Sequence, residues 1–442
     1  MNVLSLFLGG LKLKSIGLDT SGKMIVKGPQ KAKGTLTVSG SKNAVLPIMG
    51  ASLLTDDDIE LRNVPDLADV RTMIEILESA GKVIERFDDQ LIIRSSGNIN
   101  SEIPYEPVRK MRASFNVYGP LTLRNGYAKV ALPGGCSIGA RPVDFHLEGL
   151  KKLGIESTIE HGFVTSKLNN PNSLINISLP FPSVGATEHV LTTACLLEGV
   201  NTTITNCAIE PEVSDLVNFL NKMGAKITGG GTSILKIEGV KKLSGIKYTI
   251  IPDRIEAGTY IILGKLIGEK LTIKNVSAEH LNSLFSVFEN IGSPVDYDEQ
   301  KREVKVTETL LNTLNSISME TAPFPGFPTD LQPQITTFLS LVPGRSTITE
   351  TVFKSRFYHI DELNRMGAKI RVEDNTAIIE GVSKLSGAPV EATDLRAAAA
   401  LLIAGLVAEG ETIISNVDHI FRGYENIHEK LEQVGIDLIY EK

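Results

Sequence analysis

Leu363-Asn364-Arg365-Met366-Gly367-Ala368-Lys369-Ile370-Arg371-Val372 reads as the end of a helix, a glycine, and the start of a strand. Glycine just past an amphipathic helix takes the left-handed C-cap conformation without steric cost. The phrase recurs as Leu77–Gly81, Leu150–Gly154, Leu220–Gly224, Phe288–Gly292 and Leu431–Gly435. Its glycines are 73, 70, 68, 75 and 68 residues apart. Near-equal spacing over the chain is the signature of an internal repeat, here in six copies.

Downstream of the glycine lies a β-hairpin: Ala225–Thr228, a Gly-rich turn and Ile234–Gly239, or Ala368–Val372, a turn and Ala377–Gly381. Upstream, a strand ends 17 to 19 residues before the glycine in five copies: Ile59–Asn63, Thr203–Asn206, Leu271–Asn275, Thr347–Glu350 and Thr412–Asn416. A helix of small or apolar residues precedes that strand, as in Ala186–Leu197 and Leu395–Ala408. The unit is therefore β-α-β-α-β-β. Solenoid repeats run to roughly 20–45 residues, so a longer unit holds a small core of its own. Helices apolar on nearly every face belong inside. The expected α/β architecture has helices inside, sheets outside, and three units to a domain.

A chain of 442 residues is too long for one core, and 42% hydrophobic and 22% charged residues are ordinary for a globular protein. A net charge of −7 argues against a nucleic-acid partner held by global charge. Cys136, Cys195 and Cys207 are too few and too irregular for a disulfide frame or zinc site, which favours a reducing, cytoplasmic setting. No apolar run approaches the roughly 18 residues of a membrane span. Residues 1–23 lack the basic flank and cleavage site of a signal peptide and are expected to form a disordered extension, with the fold starting at Met24. The chain is expected to cross between domains near Ser41–Asn43 and return near Ile250–Arg254, a hinge of two strands. That gives one domain of residues 24–42 plus 252–442 and a second of residues 43–251.

The second copy carries an elaboration. Leu132-Pro133-Gly134-Gly135-Cys136-Ser137-Ile138-Gly139-Ala140-Arg141-Pro142 joins the strand Ala128–Leu132 to the helix Val143–Leu153 and is longer than its counterparts. Connections of this kind concentrate binding and catalytic groups. Its glycines keep the backbone pliable, and it holds one thiol with a guanidinium five residues on. A buried, inert cysteine is the competing reading.

Other segments could supply cations. Lys42 precedes an apolar helix, where an anion is well placed. Arg109 and Arg112 are spaced one helical turn apart. Asp253, Arg254 and Glu256 could form an ion pair across the domain gap. Asp330 follows a stiff Pro-rich approach and suits either a helix N-cap or a general base. Arg356, Arg396 and Arg422 fall in corresponding connections of the second half.

Several motifs occur in order: Ser41-Lys42-Asn43-Ala44, Met111-Arg112-Ala113-Ser114, Pro133 through Asp144, Ser183-Val184-Gly185-Ala186-Thr187, Pro252 through Glu256, Phe327-Pro328-Thr329-Asp330, Arg356-Phe357, Thr393 through Ala397, and Arg422-Gly423-Tyr424-Glu425. From Met24 onward the chain resembles the UDP-N-acetylglucosamine 1-carboxyvinyltransferase family of enolpyruvyl transferases. The resemblance implies two inside-out α/β barrel-like domains, each of three β-α-β-α-β-β repeats. It also implies transfer of enolpyruvyl from phosphoenolpyruvate to the 3′-OH of UDP-N-acetylglucosamine, with no cofactor, metal, nucleic acid or membrane, by a monomer. By the same resemblance Cys136 donates a proton and can form an adduct with phosphoenolpyruvate. Lys42, Arg141 and Arg422 grip phosphoenolpyruvate beside Asn43, and Arg396 meets its carboxylate. Asp330 binds the sugar 3′-OH as the favoured base. Arg112, Arg141, Pro142, Val143, Asp144, Phe145 and Val352 contact the nucleotide sugar, and Arg356 supplies an inter-domain cation. Phe181 and Phe324 depart from the family pattern, where many members carry Lys and some carry His; altered substrate affinity is expected at most.

Overall fold

The computed structural model describes residues 22–134 and 143–442. All six repeat glycines close their helices in the left-handed region, with φ from +86° at Gly154 and Gly435 to +105° at Gly224. A second left-handed position recurs at the end of the upstream strand, at Asn63, Asn206, Asn275 and Asn416. Asparagine tolerates that conformation, and its side chain can bond locally. Asn63, Asn206 and Asn275 donate Nδ2 hydrogens to the carbonyls of Ile250, Leu179 and Val38 at 2.9, 2.7 and 2.9 Å. Each of these ties its strand to the neighbouring parallel one.

Among the described residues the strands form five four-stranded sheets and one three-stranded sheet. In the third unit Leu174–Ser178 runs parallel to Asn201–Thr205, which pairs antiparallel with Ile234–Glu238, and that strand with Lys226–Thr228. The fifth unit repeats this order with Ser318–Glu320, Arg345–Thr349, Thr376–Glu380 and Lys369–Glu373. The last unit is completed by the N-terminal strand Lys23–Gly28, where Met24 lies opposite both Ile414 and Tyr440. The second unit is reduced: its fourth strand is a single parallel bridge from Glu102 to Lys129.

Two strands are exchanged between halves of the chain. Ala32–Thr37 runs parallel to Gly268–Lys274, and Lys247–Thr249 runs parallel to Ile59–Arg62. The chain must therefore cross twice, and the crossings lie side by side. Gly40 bridges Pro252, Ser41 N–H donates to Ile251 O at 2.8 Å, and Asp253 N–H donates to Ser39 O at 2.9 Å. A Cβ on Gly40 would stand 1.7 Å from the Asn63 carbonyl oxygen, so only glycine fits there.

Buried apolar side chains separate into two clusters, one running from Ala44 to Ile250 and one combining Met24–Val38 with Ile255–Leu438. Helices occupy their centres. All residues of Arg254–Ile267 and all but Leu395 and Val407 of Leu395–Val407 are buried. Alanines at 397–400 allow close helix–helix approach, and Thr337 Oγ1 donates to Ala400 O at 3.3 Å. Outer helices such as Pro211–Lys222 bury one face. The fold is an inside-out α/β architecture. No helix among the described residues is long and apolar enough to cross a membrane.

One local expectation fails. Arg109 and Arg112 do not share a helix: Tyr105–Lys110 ends at Met111, which is extended (φ −144°, ψ 129°), and Arg112 opens a 3-10 segment. The Ser114 hydroxyl donates to Val108 O at 2.8 Å, taking a carbonyl that a continuing helix would need.

Candidate active site

The crossing strands bring two helix N-termini together. Lys42 is the first residue of helix Lys42–Ala51, and its N–H donates to Asp253 Oδ2 at 3.1 Å. The other oxygen, Oδ1, caps Arg254–Ile267 by accepting from the N–H groups of Ile255 and Glu256 at 2.8 and 3.0 Å. One carboxylate thus satisfies orphan donors of two central helices, one on each side of the crossing.

The Lys42 side chain reaches Asp69, whose Oδ2 accepts from Nζ at 3.1 Å. Asp69 also binds Arg422 from the far half of the chain, Oδ1 accepting from Nε at 2.8 Å. Burial would raise the Asp69 pKa, but Lys42 and Arg422 outweigh it and hold the carboxyl below the usual carboxylate range. Asn43 follows Lys42, half-buried.

Asp330 forms a second cluster. It lies in the turn Thr329–Leu331, just before helix Gln332–Leu339, and makes no cap hydrogen bond. Its Oδ1 accepts from Arg356 Nη1 at 2.7 Å and its Oδ2 from Arg396 Nη2 at 2.8 Å. Both arginine side chains are 3% exposed and Asp330 is 26% exposed, so the carboxylate is the part of the cluster that meets solvent. Burial pushes its pKa up, but the two arginines prevail and hold it well below the carboxylate range.

A buried network fixes the arginines. Arg396 Nη1 donates to Tyr424 OH at 3.4 Å, and Tyr424 OH lies 2.8 Å from Thr259 Oγ1. Gln334 Nε2 donates to Thr259 Oγ1, Tyr424 OH and Asp330 O, each at 3.1 Å. Glu350, fully buried, accepts from Thr321 and Thr329 hydroxyls and from the N–H groups of Val352 and Phe353. Glu350 thereby sets the half-buried Val352 beside Asp330's turn.

On the other side stand Arg112, Val143, Asp144 and Phe145. Val143 is buried before helix Asp144–Lys152, Asp144 is exposed in its first turn, and Phe145 is half-buried. His146, next in that helix, has its Nδ1 3.1 Å from that of buried His189. Burial, with smaller effects from His189 and Arg112, presses the His146 pKa well below the ordinary value, so this ring is neutral. A Cβ on Gly185 would meet the His146 ring at 3.2 Å, which brings the start of helix Val184–Ala194 against it.

The halves meet at a buried ion pair, with hydrogen bonds around it. Arg254 Nε donates to Glu212 Oε1 at 2.9 Å, and its guanidinium lies 5.7 Å from the centre of the Phe324 ring. Phe324 N–H donates to Glu210 at 3.3 Å. Glu425 accepts from Asp66 N–H at 2.6 Å and from the Ser39 hydroxyl. Phe324 thus contributes to the contact between halves, while Phe181 is exposed.

Of the residues singled out from sequence, the structure places Lys42 with Arg422, and Asp330 with Arg356 and Arg396. Cys136, Arg141 and Pro142 lie outside the described residues. Asp69, Glu212, Glu350 and Gln334 carry no motif that marks them, whereas Tyr424 and Glu425 sit inside the Arg422–Glu425 phrase and were legible there.

The chain is similar to known proteins in both sequence and fold. The EPSP synthase (3-phosphoshikimate 1-carboxyvinyltransferase) family matches residues 26–431. The UDP-N-acetylglucosamine 1-carboxyvinyltransferase of Thermotoga petrophila is 54% identical over 419 residues, covering 95% of this chain and 99% of that protein. Its namesake from Kosmotoga olearia is 50% identical over 419 residues, covering 94% and 98%. Among solved structures, the enolpyruvyl transferase NikO from Streptomyces tendae superposes with a TM-score of 0.86 at 24% identity, covering 95% of this chain and 99% of that one. EPSP synthase from Acinetobacter baumannii superposes with a TM-score of 0.75 at 18% identity, covering 96% and 100%.

Proposed function

The chain belongs to the UDP-N-acetylglucosamine 1-carboxyvinyltransferase family, within the wider EPSP synthase family, and on that premise we propose a division of labour for its site. It is an enolpyruvyl transferase that moves the enolpyruvyl group of phosphoenolpyruvate to the 3′-OH of UDP-N-acetylglucosamine and releases phosphate. Lys42 and Arg422 hold the anionic groups of phosphoenolpyruvate with Arg141, beside Asn43. Arg396 takes its carboxylate. Arg112, Pro142, Val143, Asp144, Phe145 and Val352 contact the nucleotide sugar, and Arg356 stabilises charge at the domain boundary.

The chemistry is an addition followed by an elimination. The sugar oxygen bonds to C2 of phosphoenolpyruvate while C3 takes a proton from the Cys136 thiol. C3 then returns a proton to the Cys136 thiolate, the C2–O bond to phosphate breaks with its electron pair on the phosphate oxygen, and the double bond re-forms. The hydroxyl proton goes to Asp330, which passes it to the departing phosphate. A carboxylate with two guanidinium partners is a feeble base, because each cation favours its charged form. A substrate carboxylate arriving at Arg396 shares one of those cations and raises the proton affinity of Asp330. The base is thereby strengthened only when phosphoenolpyruvate is in place.

The observation that carries this reading is the convergence of Lys42, Arg422, Arg396 and Arg356 on two carboxylates in a chain this similar to named transferases. We take the domains as residues 24–42 plus 252–442 and residues 43–251, working as a cytoplasmic monomer at the first committed step of peptidoglycan synthesis, and hence in cell shape and division. The test is phosphate release with phosphoenolpyruvate and either UDP-N-acetylglucosamine or shikimate 3-phosphate. Release with the first acceptor, lost in Cys136→Ala and blocked when fosfomycin alkylates Cys136, is expected. Release with shikimate 3-phosphate alone would assign the chain to its sister reaction. An undiminished rate in Cys136→Ala would remove that residue from the mechanism, and binding without turnover would mark a nucleotide-sugar sensor.

A further inference from the structure

Asp69 is an odd residue to find where it is. It lies in the first turn of helix Ala68–Ser79, where a carboxylate ordinarily faces the helix N–H groups. Here it makes no cap bond; both oxygens go to cations that are distant in sequence. Oδ2 accepts from Lys42 Nζ at 3.1 Å and from Arg422 Nη2 at 3.4 Å, while Oδ1 accepts from Arg422 Nε at 2.8 Å. Side-chain exposure rises from 5% at Asp69 to 13% at Lys42 and 34% at Arg422, so the carboxylate is the innermost of the three groups. An anion arriving from solvent meets the cations with Asp69 behind them.

We propose that Asp69 is a built-in counter-anion of the phosphoenolpyruvate grip, a positioning residue that draws Arg422 toward Lys42 at the crossing between the halves and competes with the incoming anion for their charge. The inference rests on the proposed roles of Lys42 and Arg422. Two cations alone would repel each other and leave their side chains free to spread. One buried carboxylate between them fixes both, because a charge-assisted hydrogen bond is directional and removal of a buried partner leaves an uncompensated charge. The same carboxylate lowers the summed charge of the trio from two positive to one. It thus trades anion affinity for an ordered grip, and it weakens the hold on phosphate, the product that must leave.

The measurement is the dissociation constant of inorganic phosphate, taken as its competitive inhibition constant against phosphoenolpyruvate at saturating UDP-N-acetylglucosamine. In Asp69→Asn the constant is expected to fall about three- to ten-fold, the effect of removing one nearby charge, while kcat falls about ten-fold or more because the cations lose their alignment. A residue with a merely structural role would lower kcat without tightening phosphate. Asp69→Ser removes the charge with a smaller side chain and is expected to behave alike, which covers a folding failure of the first variant. Phosphate bound no more tightly than by the parent chain, in whichever variant folds, overturns the proposal. Arg422→Ala separates the premise from the inference: an unchanged phosphate constant there discards the assignment of Arg422 to the grip, whatever Asp69 does.

Discussion

Asp330 and Asp215 show how one side-chain type is pushed in opposite directions by its partners. Asp330 is held ionised by Arg356 and Arg396. Asp330→Asn should therefore reduce kcat about 100-fold or more, as expected for loss of a general base. It also leaves two buried guanidinium groups without their counter-charge, so it should lower the unfolding free energy by about 3 kcal/mol. A variant that keeps its rate would remove Asp330 from the chemistry. Asp215, on helix Pro211–Lys222, is buried, and burial raises its pKa to about 6 despite the Tyr248 hydroxyl donating at 2.6 Å. A carboxyl whose folded pKa is raised contributes stability at low pH and loses it as the pH climbs through the folded value. From about pH 4.5 to about pH 7.5 the parent chain should thus lose about 2 kcal/mol relative to Asp215→Asn in urea titrations. An equal difference at both pH values would contradict this. Sequence grouped Arg356, Arg396, Arg422 and Asp330 as candidates, but it passed over Asp69 and did not tell who pairs with whom. Asp330 stands 26 and 66 residues from its partners, and Asp69 is 353 residues from Arg422. Spacing along the chain says nothing about such contacts.

At the scale of single elements the repeat glycines make the sharpest comparison. Gly367 has φ +95° and open space where a Cβ would project, so Gly367→Ala should cost only the left-handed strain, about 1–2 kcal/mol. Gly81 has φ +96°, and its added Cβ would stand 2.1 Å from the Asn98 carbonyl oxygen. Gly81→Ala should cost about 2 kcal/mol more, because backbone must move. Equal urea midpoints for the two variants would refute the distinction. Glycines were readable because they relieve a left-handed C-cap without steric cost; the asparagines that end four of the strands gave no sign of their left-handed backbone, because Asn has many other uses. The reduced fourth strand of the second unit and the break at Met111 were not legible either. Both depend on contacts made across the fold, such as Ser114 to Val108, which no local propensity encodes.

For the whole molecule, the repeat count and the burial of its apolar helices were enough to anticipate helices inside and sheets outside. The exchange of Ala32–Thr37 and Lys247–Thr249 between halves explains why the cations of the proposed grip lie where they do: it places Lys42 and Asp253 at neighbouring helix starts. The buried pair of Arg254 and Glu212 holds the halves together beside it. Arg254→Met should destabilise by about 3–5 kcal/mol, and adding Glu212→Leu should recover most of that, since the orphaned charge then goes too. No recovery in the double variant would show that the pair acts independently. The central claim, however, is chemical, and it is tested most directly by following carbon. Phosphoenolpyruvate labelled with carbon-13 at C2, incubated with UDP-N-acetylglucosamine and this protein, should yield by NMR a vinyl carbon ether-linked to the sugar 3′ oxygen, with one phosphate released per label transferred. Label remaining in phosphoenolpyruvate, or emerging as pyruvate with the sugar unchanged, would contradict the account.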